Sequence, residues 1–245
     1  MRSKRFLIGA CAVAASLAIP STALGAAAAV QTIDGQLGGK EKPKFDKKKF
    51  KPTQIFVETT TADAADPAAM PPKASRAVID FDKKDVKFNP KAVPGCSQSQ
   101  LANTTTEDAR IACGEAEVGK GTATAALPFG VGGTRQNFPV TVTAFNNGDA
   151  SGILLHSRAE APLNTTTVLV GTLSGVRLDV AVPPLGGGVG AIAQFNTTVE
   201  ADDYIQGRCK DKLINYDSEF TYTDTPSATA SDEQACKQKK KRGGR

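Results

Sequence analysis

From Gln54 onward the chain is a succession of short runs of β-branched, aliphatic and aromatic residues separated by Pro, Gly and Asn, and this punctuation limits the fold more than any other property of the sequence. Gln54–Glu58 and Ala77–Phe81 alternate with period two, which places Ile55 with Val57, and Ala77 with Ile79 and Phe81, on one face. Eight further runs follow: Glu117–Ala125, Phe138–Phe145, Gly152–Arg158, Thr165–Leu173, Val176–Val182, Ala191–Val199, Tyr204–Cys209 and Tyr216–Thr223. The segments between them are short and rich in turn formers, without room for the crossover helices that parallel pairing requires. Asn146-Asn147-Gly148-Asp149 is the clearest hairpin connection, and Gly175 marks a second. Ten short strands predict an all-β domain over residues 53–236, an antiparallel β-sandwich with a jelly roll as its nearest variant.

One helix is expected. Thr104-Thr105-Thr106-Glu107 fits a capping box, in which a hydroxyl and a carboxylate satisfy backbone N–H groups at the helix start, and Ala109–Ala112 can continue it. Being short, it is expected to cap one end of a sheet. Residues 26–52 are rich in Gly and Lys with little to pack, and read as a solvated linker or an irregular edge.

The compartment is written at the N-terminus and in the cysteines. Three cations in Met1–Arg5, an apolar stretch over Phe6–Ile19 and the small residues Ala23-Leu24-Gly25-Ala26 have the form of a secretory signal peptide spanning residues 1–25. Its removal leaves no integral membrane segment, and takes Cys11 with it. Cys96, Cys113, Cys209 and Cys236 remain, an even set for an oxidising compartment. Three pairings are open; Cys96–Cys113 with Cys209–Cys236 is favoured because each closes a local loop containing turn signals. No cysteine pair has the two-residue spacing of a zinc knuckle and His156 is the lone histidine, so no metal is expected.

Of the 30 cations, three lie in the first 25 residues and six in the last nine, leaving residues 26–236 with 21 cations against 25 acids, a net charge of −4. A nucleic-acid-binding face is therefore not expected. Residues 237–245 read as a flexible basic tail, in which Lys237, Lys239, Lys240, Lys241 and Arg242 are candidates to tether the protein to anionic wall polymer or lipid headgroups.

No catalytic set assembles in the sequence. Pro183–Ala191 resembles a phosphate-cradling glycine loop, but a strand pattern follows where a helix N-terminus is needed, so it reads as a turn. Ser157 adjoins His156 yet would face the opposite side of a strand, and no Gly-x-Ser-x-Gly elbow exists. Asp80/Asp82, Glu115/Glu117 and Asp202/Asp203 are the carboxylate pairs; the first two, at i, i+2, could serve glycan hydrolysis if they flanked a cleft. Asn103, Asn164 and Asn196 each begin an Asn-Thr-Thr triplet of the glycosylation type. No cofactor motif is present.

Phe88–Cys96, Ala112-Cys113-Gly114, Val118–Gly121, Leu154-Leu155-His156, Pro183–Gly187, Arg208-Cys209 and Phe220-Thr221-Tyr222 together resemble a family of uncharacterised secreted β-rich proteins of high-GC Gram-positive bacteria, over roughly Ser75–Cys236. The resemblance implies export and a β fold, and lends no catalytic residue. The function expected is a non-catalytic binding or structural module, secreted or in the cell envelope, whose partner is an anionic wall polymer, a carbohydrate or another envelope protein. The alternative is a secreted glycan hydrolase using one of the carboxylate pairs.

Overall fold

The computed structural model describes residues 28–129, 132–149 and 151–239. In chain order its strands are β1 (Ala29–Leu37), β2 (Lys44–Phe45), β3 (Lys51–Thr53), β4 (Ile55–Asp63), β5 (Ala74–Phe81), β6 (Val86–Phe88), β7 (Glu117–Phe129), β8 (Thr134–Asn146), β9 (Gly152–Ala159), β10 (Thr165–Ser174), β11 (Arg177–Ala181), β12 (Ala191–Val199), β13 (Ile205–Gly207), β14 (Leu213–Tyr222), β15 (Ala228–Ala235) and β16 (Lys237–Gln238). Two short helices, α1 (Gln98–Leu101) and α2 (Thr106–Cys113), lie between β6 and β7. All ten strands expected from alternation are present.

Their arrangement corrects the β-sandwich and its jelly-roll variant. Eleven strands form one sheet in the order β1-β4-β12-β7-β8-β9-β10-β11-β5-β14-β15, and every neighbouring pair is antiparallel. The sheet curls until its first and last strands lie side by side, giving a nearly closed barrel. Bulges between Glu117 and Gly119 in β7, and between Ile192 and Gln194 in β12, add to the twist that bends the wall.

The closure has a direction. Ten antiparallel steps leave β1 and β15 parallel to one another, and the seam between them is bridged by side chains. The Gly35 N–H donates to Asp232 Oδ2 at 3.0 Å, the Leu37 N–H to Gln234 Oε1 at 2.8 Å, and Gln234 Nε2 returns to the Leu37 and Lys40 carbonyls at 3.2 and 2.7 Å. Inside the seam, the Tyr216 hydroxyl donates to Gln234 Oε1, and the Tyr222 and Thr61 hydroxyls both donate to Gln31 Oε1. These buried polar groups satisfy one another, which is the condition for keeping them in a core.

β1 also corrects the reading of residues 26–52 as a linker. It is a nine-residue wall strand paired with β4 from Ala29 opposite Asp63 to Leu37 opposite Ile55. The boundary at 236/237 is likewise no break, because β16 pairs in parallel with β2 and the Lys239 N–H donates to the Phe45 carbonyl at 2.7 Å.

The two ends of the barrel are built differently. At one, a three-stranded sheet β3-β13-β6 and the β2–β16 pair close the interior. Phe81, Phe88, Tyr204 and Tyr216 stack edge to face there, with centroids 5.2–6.5 Å apart. The Cys209–Cys236 disulfide, spanning 27 residues, staples this plug. At the other end, β4, β11 and β14 leave the sheet and β5, β12 and β15 enter it, joined by loops that include Pro183–Gly190. Between plug and rim, the inward faces of Ile55, Val57, Ile79, Leu155, Leu178 and Val180 line an apolar interior.

The second disulfide is Cys96–Cys113, so both favoured pairings are present. It secures α1 and α2 against the outer wall, where Leu101 and Ala109 pack on Phe145 and Leu154. The disulfide-flanked helix therefore covers β8, β9 and β10 from outside instead of capping a sheet end. Thr105, not Thr104, is the N-cap of α2: its hydroxyl accepts the Asp108 N–H at 3.1 Å.

Candidate functional site

The three carboxylate pairs are not gathered into a cleft. Asp80 pairs with Arg177 at 2.6 Å on the outer face of β5. Asp82 lies in the turn beyond it, where its carboxylate accepts the Lys84 N–H at 2.8 Å. Glu117 receives both Nε and Nη2 of Arg110 at 2.9 and 3.0 Å, while Glu115 is exposed one turn earlier. Asp202 occupies a left-handed turn with φ 30°, and Asp203 accepts from Gln206 Nε2 at 2.9 Å. A general acid needs a carboxyl whose pKa is lifted within reach of a second carboxylate, and these groups are instead held by arginines or tied to turns.

His156 is fully buried on the outer face of β9, beneath the α1–α2 cover. Thr104 Oγ1 donates to the Leu101 carbonyl at 2.7 Å and lies 3.0 Å from His156 Nε2, while the Thr104 carbonyl is 3.2 Å away. With two acceptors facing it, Nε2 carries the proton, and Nδ1 is left without a hydrogen-bond partner. Burial holds the imidazole below its usual pKa, so the ring is neutral. This is a packing residue that ties the helical cover to the barrel.

The glycine-rich segment is a turn, as its following strand implies. Gly186, Gly187 and Gly188 have φ of 54°, 71° and 90°, a conformation only glycine adopts freely, and β12 starts at Ala191. The three triplet asparagines also have local roles. Asn103 and Asn164 take left-handed turns at φ 59° and 46°, and Asn196 Nδ2 donates to Thr122 Oγ1 across the β12–β7 ladder at 2.9 Å.

The plugged end carries the strongest electrostatic feature. Segments 40–51, 82–87 and 208–212 hold 13 cations and five acids, so the remainder of 26–236 holds eight cations and 20 acids. The fold brings these distant segments together. β13 pairs with β3 on one side and β6 on the other. The Cys209 N–H donates to the Asp46 carbonyl at 2.9 Å, Arg208 Nη1 to the Lys48 carbonyl at 3.4 Å, Gln238 Nε2 to the Lys210 carbonyl at 2.7 Å, and Arg208 Nε to the Lys84 carbonyl. Arg208 also lies 4.4 Å over the Phe50 ring.

β16 delivers Lys237 and Lys239 to the same pole, so these two of the five tether candidates are fixed to the fold, whereas Lys240, Lys241 and Arg242 lie outside the described residues, as does segment 1–25, read above as a signal peptide. Lys42, Lys44, Lys47, Lys48, Lys49 and Lys51 are exposed. Among the described residues, two cations here find carboxylates: Lys84 with Asp211 at 3.0 Å, and Arg208 with Asp85 at 4.0 Å. Asp85 is fully buried, its Oδ1 accepting the Lys210 N–H at 2.7 Å; burial raises its carboxyl pKa. The net charge of −4 thus conceals a separation of charge that summing along the chain cannot show.

Among the described residues, no helix is long and apolar enough to cross a membrane, and no group of three or more His, Cys, Asp or Glu side chains is arranged to hold a metal ion. The two disulfides suggest an oxidising, extracellular environment. No protein-family model, no curated protein and no solved structure matches the chain.

Proposed function

We propose that the protein is a non-catalytic binding module of the cell exterior, docked by its lysine-rich pole to an anionic polymer of the envelope. The observation that carries this reading is the convergence of residues 40–51, 82–87, 208–212 and 237–239 on one end of a barrel whose remaining surface is acidic. A phosphodiester polymer offers evenly spaced negative charge to such a pole, at about 1 kcal/mol per cation close to a charged surface. The acidic remainder repels the same polymer, so docking is oriented. Export agrees with the signal-type segment 1–25, with the two disulfides, and with the resemblance to secreted proteins of high-GC Gram-positive bacteria. No observation favours the hydrolase reading, since Asp80 and Glu117 each have their carboxylate held by an arginine.

Sedimentation of the protein with purified glycerol-phosphate wall polymer tests the reading. Binding is expected at low ionic strength and lost near 1 M salt, where the screening length falls to about 3 Å. Replacing Lys47, Lys48 and Lys49 together by Gln should weaken it while leaving the melting temperature within about 2 °C, as expected for exposed charges. Binding that survives both high salt and the triple replacement overturns the proposal.

A further inference from the structure

The barrel interior is incompletely filled. A cavity of about 100 Å³ runs along it from the Phe81–Phe88 plug to Ala74, Val182 and Ile192 at the rim. Its lining comes from seven wall strands and is aliphatic or aromatic except for Thr59, Thr61, Gln194 and Thr197, which lie together on β4 and β12. Protein cores pack to the density of organic crystals, with few voids larger than a water molecule. Apolar cavities of this order stay dry and accept small apolar guests. Larger side chains at Ala74 or Ala77 would close the space; instead it is left open along a barrel held at both seam and plug.

The cavity has a way in. A second pocket of about 200 Å³ sits at the rim and shares Ala74, Val182 and Ile192 with the first. Its outer edge is the Pro183–Gly190 loop, and the left-handed glycines at 187 and 188 have no neighbouring atom within 4 Å of where a Cβ would stand. This edge lacks the cross-links that fix the plug. Lys73, Ser75 and Thr223 line the same pocket. None of the ion pairs among the described residues involves Lys73, and the nearby Asp224 carboxylate is engaged with the Lys73 backbone N–H at 3.1 Å. The mouth therefore carries the Lys73 ammonium near the Asp224 carboxylate, with the Ser75 and Thr223 hydroxyls donating to the Thr221 and Lys73 carbonyls at 3.2 and 3.5 Å, above an apolar shaft.

We infer that the barrel binds a small amphiphile with an unbranched alkyl chain and an anionic head, the chain within the shaft and the head beside Lys73. The shaft at about 100 Å³ and the rim pocket at about 200 Å³ are contiguous through Ala74, Val182 and Ile192, so the chain occupies both, and together they reach the lower end of the range for small-molecule sites, about 300 Å³. This site is at the opposite end of the barrel from the lysine-rich pole, so the protein can be docked and loaded at once.

Calorimetric titration with laurate, and with dodecanol as its uncharged counterpart, tests the inference. One laurate per chain is expected, with a negative heat-capacity change from apolar burial. Ala77→Phe fills the shaft and should weaken both ligands about tenfold or more, with a thermal melt confirming that the variant folds. Lys73 is half-buried at the rim, and Lys73→Gln should weaken laurate about threefold to fivefold while leaving dodecanol unchanged. Absence of laurate binding, or binding indifferent to Ala77→Phe in a folded variant, overturns the site. Equal effects of Lys73→Gln on the two ligands overturn the placement of the head. Neither result bears on polymer sedimentation, which reads the other pole.

Discussion

One barrel wall carries two ends of opposite character. At the plug, four aromatic rings, two small sheets and a disulfide tie residues from 37 to 239 into a unit whose exposed face is mostly lysine. At the rim, the strands are joined by proline- and glycine-rich loops and the interior is reached past a few small side chains. A single β-barrel thus divides labour between its ends. A dense set of like charges repels itself, so it needs the covalent and aromatic framework beneath it. An entrance needs the reverse, a backbone that can yield without disturbing the wall.

Breaking the plug should have the largest effect. Replacing Cys209 and Cys236 by Ser releases a 27-residue loop, and the loop-entropy estimate puts the loss near 3.5 kcal/mol, readable by denaturant unfolding. The expected partner effect is on function: polymer sedimentation should weaken even in the fraction that remains folded, because residues 237–239 are no longer pinned beside 44–46. Unchanged stability would mean that hydrogen bonding and aromatic packing hold the plug without the disulfide.

Glycine replacements sharpen the same contrast with smaller effects. A Cβ at Gly35, on β1 near the plug, would stand 2.3 Å from the Tyr216 ring; Gly35→Ala should cost about 1–3 kcal/mol through overpacking. Gly187→Ala at the rim meets no atom but keeps φ 71°, and should cost about 1 kcal/mol from backbone strain alone. If the two costs were reversed in a pair of urea titrations, the rim and not the plug would be the tighter end.

The remaining effect, spread over pH, belongs to the wall between the ends. His156 has a folded pKa below the unfolded value of 6.5. The unfolded chain therefore takes up a proton, as pH falls below 6.5, that the folded chain refuses. Stability is full above that pH and declines beneath it, by at most about 1.4 kcal/mol per pH unit. His156→Gln should remove this slope from thermal melts between pH 7 and 5. Persistence of the slope in the variant would assign it to another group.

What could be read in the sequence follows from which residues the strands bury. β4 and β5 put Ile, Val and Phe inward, and their period of two is plain, while β9 is recognisable as a continuous apolar run because the helices bury its outer face as well. β1 and β15 do not advertise themselves. β1 buries Gln31 and Gly35 among its inward residues, and β15, Ala-Thr-Ala-Ser-Asp-Glu-Gln-Ala, has no large apolar residue. These are the two strands that close the barrel, and they do so with Asp232 and Gln234. Without them, the remaining strands fit a sandwich as well as a barrel. The lysines of 40–51 were visible as charge; their meeting with 208–212 and 237–239 depends on β-pairing across more than a hundred residues, which no local pattern encodes.

The seam joins positions 197 residues apart. The first wall strand made must therefore wait for the last, and until β15 is synthesised the growing sheet has an open edge and an exposed apolar inner surface. Contacts this distant in sequence form slowly, and half-built sheets with free edges are the species that associate wrongly. A chain that seals itself only at its last wall strand has a long period of vulnerability before it has an inside at all.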